Sequence, residues 1–219
     1  MKMEIEQRIR AAGVIPVIAL EHARDAVPLC AALAAGGLCV AEITFRTAAA
    51  PEAMALVRRE FPDFLLGAGT VTLAGELDRA VATGAGFAVA PGLNPRIVQR
   101  AQQAGLPFFP GVCTPTEIEA ALELGCTLLK FFPAGAMGGL KILGDLYAPY
   151  KHRGVRFIPT GGISATNLGD YLSHPGVLAC GGSWLATGAM IKGQAWEQIT
   201  RLAREAVELN CALRPTPGD

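Results

Sequence analysis

Lys130 is the residue whose placement most invites chemistry. It stands near the end of Thr127-Leu128-Leu129-Lys130-Phe131-Phe132-Pro133, an apolar, strand-like run. The chain has five lysines, and the other four occupy terminal, loop or glycine-flanked positions. Desolvating an ammonium is expensive, so a lysine in an apolar strand calls for a reason. Its methylenes can lie along the apolar surface while the charge snorkels to the rim. Alternatively, burial disfavours the charged form and leaves a neutral amine able to attack a carbonyl, which is Schiff-base chemistry.

Glu42 is the second such residue, within Val40-Ala41-Glu42-Ile43-Thr44-Phe45-Arg46-Thr47. A strand has a two-residue side-chain period, so Glu42, Thr44 and Arg46 project to one face. One reading is a structural ion pair between Glu42 and Arg46. The other is a proton-transferring carboxylate beside the amine, with Arg46 as a bidentate anchor for a substrate carboxylate.

Glycine-rich turns follow four of the apolar runs. Gly67-Ala68-Gly69-Thr70 and Ala90-Pro91-Gly92 let backbone approach a ligand closely. Thr160-Gly161-Gly162-Ile163-Ser164 and Cys180-Gly181-Gly182-Ser183-Trp184 follow the last two runs. Paired turns there are either plain turn geometry or a place where backbone N–H groups cradle a phosphate. His22, His152 and His174 are far apart and lie outside the runs, which gives little support to a metal site. No Gly-x-Ser-x-Gly elbow is present for a serine nucleophile. No metal and no cofactor are expected.

These residues need elements to hold them. Eight apolar runs recur along the chain: 14–20, 38–45, 64–68, 87–90, 107–109, 127–132, 155–159 and 177–180. Continuous rather than alternating apolarity fits strands covered on both faces, as in parallel sheets. Segments of helical composition lie between them: 25–35, 51–61, 73–83, 95–104 and the stretch from Thr114 to Gly125. The last opens on Thr114-Pro115-Thr116-Glu117, a capping-box pattern. A long terminal helix is expected over 194–213, an extra N-terminal helix over 1–12, and a frayed tail over 214–219. Eight strand–helix alternations point to an α/β (β/α)8 barrel in a single domain spanning residues 1–219. An open doubly wound sheet is the alternative, disfavoured because no Gly-x-Gly-x-x-Gly follows the first run.

Composition agrees. The 219 residues are 51% hydrophobic and only 17% charged, against roughly 25% in an average domain. Nineteen basic and nineteen acidic residues cancel, so no strong field draws the chain to nucleic acid or an anionic membrane. Six scattered cysteines without a Cys-x-x-Cys read as buried free thiols in a reducing compartment. The charged first ten residues are unlike a signal peptide, and no apolar run approaches the ~18 residues of a membrane span. A soluble, cytoplasmic protein is expected.

Together these residues resemble the 2-keto-3-deoxy-6-phosphogluconate (KDPG) and 2-keto-4-hydroxyglutarate (KHG) aldolases. The resemblance runs over nearly the whole chain, from Val14-Ile15-Pro16-Val17-Ile18 to the terminal 199–208 segment. It rests on Glu42-Ile43-Thr44-Phe45-Arg46-Thr47, Gly67-Ala68-Gly69-Thr70-Val71, Pro110-Gly111-Val112-Cys113-Thr114-Pro115, Lys130-Phe131-Phe132-Pro133-Ala134, Pro159-Thr160-Gly161-Gly162-Ile163 and Gly181-Gly182-Ser183-Trp184.

The resemblance implies a class I, metal-independent lyase on a TIM barrel, assembled as a homotrimer and acting in the Entner-Doudoroff pathway. Its substrate is a small 2-keto acid, cleaved to pyruvate and glyceraldehyde 3-phosphate, with 4-hydroxy-2-oxoglutarate giving pyruvate and glyoxylate as a further reaction. Lys130 matches the Schiff-base lysine and Glu42 the general acid/base. Arg46 and Thr70 match positions holding the pyruvate carboxylate. Gly161, Gly162, Gly182 and Ser183 match the phosphate site, and Thr160 a position facing the aldehyde half that influences stereoselectivity. Pro91 and Phe132 complete the substrate-binding set, with Phe131 and Phe132 keeping the site dry. Some relatives carry an arginine at the end of the first strand, where this chain reads Ala19-Leu20-Glu21. The alternatives are an aldolase for the galactonate epimer, a sugar-phosphate isomerase, or a non-catalytic barrel that binds a phosphorylated metabolite.

Overall fold

In the computed structural model, which describes residues 2–214, the apolar runs pair into an all-parallel array. The strands are β1 (Val14–Ile18), β2 (Val40–Thr44), β3 (Leu65–Gly69), β4 (Phe87–Val89), β5 (Phe108–Phe109), β6 (Gly111–Val112), β7 (Leu128–Phe131), β8 (Arg156–Pro159) and β9 (Cys180–Gly182). They form a six-stranded curled sheet, β5-β4-β3-β2-β1-β9, and a three-stranded sheet, β6-β7-β8. β5 falls in the expected run 107–109, and β6 resumes the strand beyond that run, past Pro110, which has no N–H to give a ladder. β5 pairs with β4, and β6 with β7. At the other seam, parallel bridges join Phe157 to Val177 and Thr160 to Gly181. The eight expected runs thus close into a (β/α)8 barrel.

The last strand begins later than its apolarity suggests, at Cys180 rather than Val177, and runs into glycine. A Cβ on Gly181 would lie 2.2 Å from Thr160 Oγ1, and one on Gly182 would lie 1.7 Å from the Trp184 ring. Glycine is required there by close packing, which hydrophobicity cannot register.

The helices are α1 (Lys2–Ala12), α2 (Ala26–Ala35), α3 (Ala50–Glu60), α4 (Ala74–Ala82), α5 (Pro95–Gln103), α6 (Pro115–Glu123), α7 (Gly139–Tyr150), α8 (Leu168–Leu172), α9 (Gly188–Lys192) and α10 (Trp196–Leu213). The Thr114–Glu117 capping box forms as expected and opens α6. Helices α7 to α9 went unforeseen. α7 starts at two left-handed glycines, Gly138 and Gly139, and contains Pro149, so breaker residues mask it.

Strand alternation divides the large aromatics between two layers. Phe87 and Phe109 pack together inside the barrel, ring centroids 5.5 Å apart. Phe131 and Phe157 pack edge-on between sheet and helices, at 6.3 Å. All four are fully buried, each burial being worth roughly 1.5–3 kcal/mol.

The opposite end of the barrel from the glycine turns is closed by α1. Its Glu6 pairs with Arg156 at the start of β8, and Asn210 of α10 donates to the carbonyls of Arg10 and Ala11. Arg214, expected within a frayed tail, instead clips α10 to the β9 side: its guanidinium donates to the carbonyls of Leu172, Val177 and Leu178. The rest of that tail, 215–219, lies outside the described residues. Cys30, Cys126 and Cys180 are buried while Cys39 and Cys211 are exposed, so burial holds for only part of the set. Burial pushes the Cys30 and Cys180 thiols up to about 12. Among the described residues, no helix is long and apolar enough to cross a membrane.

Candidate active site

β7 directs Lys130 into the barrel, and β2 directs Glu42 towards it from across the interior. Lys130 Nζ lies 3.2 Å from Glu42 Oε1 and 3.3 Å from Oε2. The side chains are 6% and 3% exposed, so the pair is removed from water almost completely. Taking two ions out of water costs several kcal/mol each, and a buried pair is therefore weak evidence for stability. The expected alternative of a Glu42–Arg46 pair is corrected: Glu42 is committed to Lys130.

Arg46 lies two residues beyond β2, past the end of the ladder, and its side chain reaches solvent. Its Nε donates to Thr44 Oγ1 at 3.2 Å, and that hydroxyl in turn donates to the Ile18 carbonyl at 2.8 Å. The two Nη groups have no partner among the described residues. They are left as a free fork at the cavity mouth, suited to a carboxylate.

β3 contributes by what it lacks. A Cβ on Gly69 would sit 2.2 Å from Glu42 Oε1, so only glycine leaves room for the carboxylate. Thr70, the next residue, has φ +58°, an uncommon conformation for a β-branched side chain. Strain of this kind, of order 1–3 kcal/mol, persists where surrounding structure enforces it, and here Val71 N–H bonds the Val89 carbonyl at 3.0 Å.

The turn after β8 differs in kind. Gly161 and Gly162 both adopt left-handed φ, +93° and +76°. The carbonyls of Thr160, Gly161 and Gly162 accept bonds from Ala134 N, Gly135 N and Asn167 Nδ2. The N–H groups of Gly161, Gly162 and Ile163 donate to nothing among the described residues, while all three residues line the cavity. Successive unpaired N–H groups around a concavity favour an anion.

One cavity of about 290 Å³ collects the whole set. Lys130, Glu42, Arg46, Thr70, Pro91, Phe132, Thr160, Gly161, Gly162, Gly182 and Ser183, all eleven sequence-predicted site residues, line it. The Phe132 ring centroid is 5.9 Å from Lys130 Nζ. Phe131 does not share that role, because alternation turns it outward onto Phe157. Sequence reasoning missed Val17, Ile163 and Gly181 as lining residues. Val17 was within reach, since it is the parallel partner of Glu42 and so shares its face. A wider cavity of about 860 Å³ adjoins the first, shares Val17, Arg46 and Ser183 with it, and is lined by Ala19 and Glu21. The end of the first strand, at Ala19 and Glu21, therefore opens onto this outer space. Among the described residues, no three His, Cys, Asp or Glu side chains gather as metal ligands would.

The KDPG and KHG aldolase family model matches residues 5–202. A 2-dehydro-3-deoxy-phosphogluconate aldolase of Haemophilus influenzae is 46% identical over 206 residues, covering 94% of this chain and 96% of that protein. The structure of a Legionella pneumophila KDPG aldolase, with pyruvate captured at low pH as a covalent carbinolamine intermediate, superposes with a TM-score of 0.89. It is 39% identical, over 94% of this chain and 99% of that one. A Zymomonas mobilis KDPG aldolase with 3-phosphoglycerate gives a TM-score of 0.86 at 39% identity, over 94% and 96% of the two chains.

Proposed function

The chain belongs to the KDPG and KHG aldolase family, and from that membership we propose a class I carbon–carbon lyase whose imine forms on Lys130. It cleaves 2-keto-3-deoxy-6-phosphogluconate to pyruvate and glyceraldehyde 3-phosphate, and 4-hydroxy-2-oxoglutarate to pyruvate and glyoxylate. The observation that carries the assignment of roles is the buried Lys130–Glu42 contact at 3.2 Å.

The steps follow from that contact. Lys130 Nζ passes a proton to Glu42, and the neutral amine attacks C2 of the keto acid. Protonated Glu42 returns the proton to the carbinolamine hydroxyl, which leaves as water and gives the iminium. The Glu42 carboxylate then takes the C4 hydroxyl proton. The C3–C4 bond breaks, its electron pair flows into the iminium, and C4 departs as the aldehyde of glyceraldehyde 3-phosphate. The enamine is protonated at C3, water adds to the resulting iminium, and pyruvate leaves Lys130 free.

Arg46 and Thr70 hold the carboxylate of the pyruvate half, while Thr160 faces C4 from the wall of the cavity. The N–H groups around Gly161 and Gly162, with Gly182 and Ser183, receive the phosphate. Pro91 and Phe132 close the remaining sides and exclude water. Assembly as a homotrimer, a single folding domain over residues 1–219 and a cytoplasmic location belong to the same proposal. A single cooperative unfolding transition and a light-scattering mass of three chains are the expected results for the first two.

Steady-state release of pyruvate tests the activity. KDPG is expected to be cleaved with a higher specificity constant than 4-hydroxy-2-oxoglutarate or the galactonate epimer, because only KDPG combines the distal phosphate with the expected C4 configuration. Absence of pyruvate release from every one of the three contradicts the proposal.

A further inference from the structure

The turn that receives the distal end of the substrate does not hold its own shape. Each of its three carbonyls is bonded by a group outside it, and those groups come from two sides. From one side, the segment that follows β7 donates Ala134 N–H to the Thr160 carbonyl and Gly135 N–H to the Gly161 carbonyl, both at 2.8 Å. From the other, Asn167 Nδ2 donates to the Gly162 carbonyl at 2.9 Å. The Asn167 amide is oriented by a second bond, Ser164 N–H to Oδ1 at 2.9 Å, so its donor and acceptor ends are each assigned by a partner of the required type.

The β7 side also makes a close approach. A Cβ on Gly135 would lie 3.2 Å from both the Gly161 oxygen and the Gly162 Cα, and a Cβ on Gly162 would lie 3.1 Å from Gly135 Cα. The two backbones are in direct contact with no side chain between them. Gly135 does not have positive φ and is exposed. Alanine therefore fits its backbone conformation, and the only thing the new methyl disturbs is this contact.

We propose that Gly135 and Asn167 are positioning residues that clamp the Gly161–Gly162 turn from opposite sides, so that its carbonyls face away from the cavity and its N–H groups face a phosphoryl group. The proposal rests on the aldolase reading above. Neither residue touches substrate. Both act through the orientation of the peptide groups that do, and an N–H swung away from the acceptor direction weakens its charge-assisted bond. The clamp also ties the distal turn to the chain that leaves the imine-forming strand, since Gly135 is five residues beyond Lys130.

The test compares two substrates that share the reacting carbons but differ in length. In 4-hydroxy-2-oxoglutarate the chain ends in a carboxylate attached directly to C4, which stops short of the turn. KDPG continues through C5 and C6 to the phosphate. For Gly135→Ala, Asn167→Ala and Asn167→Asp, KM for KDPG is expected to rise about tenfold, the scale of one weakened hydrogen bond to a charged group. KM for 4-hydroxy-2-oxoglutarate should stay unchanged in all three variants. The rate at which borohydride traps pyruvate on Lys130 should stay unchanged as well, which also reports that each variant is folded. An equal rise in KM for both substrates, or no rise for either, overturns the proposal. Wild-type turnover is read first: its absence overturns the aldolase reading and the clamp with it, whereas wild-type turnover with unshifted variants overturns the clamp alone.

Discussion

The two ends of the cavity are built on opposite principles. At the end proposed to take the keto acid, charge sits on side chains, Lys130 and Glu42, that project from the middle of strands and are almost wholly buried. At the distal end, the polar groups are backbone N–H groups in a turn open to solvent, and the nearby Ser183 hydroxyl is exposed and unpartnered among the described residues. Covalent chemistry needs a proton to move between two fixed atoms, so its groups are held by β ladders and kept from water. Recognition of a phosphate needs several donors converging on one centre, and peptide N–H groups supply these without importing a buried charge. Under the proposed function, the contrast lets a charge-poor chain serve a multiply charged substrate.

Breaking the keto-acid end should have the largest effects. Lys130→Ala is expected to abolish pyruvate release. It leaves Glu42 as an uncompensated buried ion, with a cost of about 3–5 kcal/mol in denaturant titration. Adding Glu42→Gln to that variant should recover most of the lost stability while activity stays absent. Glu42→Gln alone should lower kcat by roughly 10²–10⁴-fold, the range for removal of a positioned acid/base group, with the trapping of pyruvate slowed as well. An unchanged kcat would return Glu42 to a structural role. Gly69→Ala forces Glu42 away from its place, since the added Cβ would fall 2.2 Å from Oε1. A loss of about 10² in kcat is expected from that displacement, measured by steady-state pyruvate release.

The distal end should break more gently. Ser183→Ala removes one exposed donor among several, and a few-fold rise in KM for KDPG is expected. No change should appear with 4-hydroxy-2-oxoglutarate. Equal sensitivity of the two substrates to Ser183→Ala would erase the distinction between the ends.

The same contrast governs what could be read in the sequence. Lys130 and Glu42 were visible because each is a lone charge in an apolar run, and a strand period gives such a charge a direction. Their pairing stood only as one of two readings of Glu42, because it depends on barrel closure bringing β2 and β7 to face each other across the interior, over a separation of 88 residues. Arg46 followed the strand period as well: it lies beyond Thr44, the last residue of β2, yet its Nε bonds Thr44 Oγ1 and it lines the same cavity at the mouth. The glycine turns were legible as turns. The reason for Gly69, Gly181 and Gly182 was not, because it lies in the side chains of Glu42, Thr160 and Trp184 filling the vacated space. Gly135 and Asn167 carry no sequence signal at all: each is a small or polar loop residue whose meaning comes only from the carbonyl it approaches. Helix α7 stayed hidden for a related reason, since its entry glycines and Pro149 read as loop.

The most direct measurement of the central claim is reductive trapping. Borohydride added to the protein with pyruvate converts an iminium into a stable secondary amine, and peptide mass mapping then locates it. The adduct is expected on the peptide carrying Lys130, and it should be absent from Lys130→Ala. An adduct on another lysine, or none under conditions where the wild-type protein releases pyruvate from KDPG, would contradict the account.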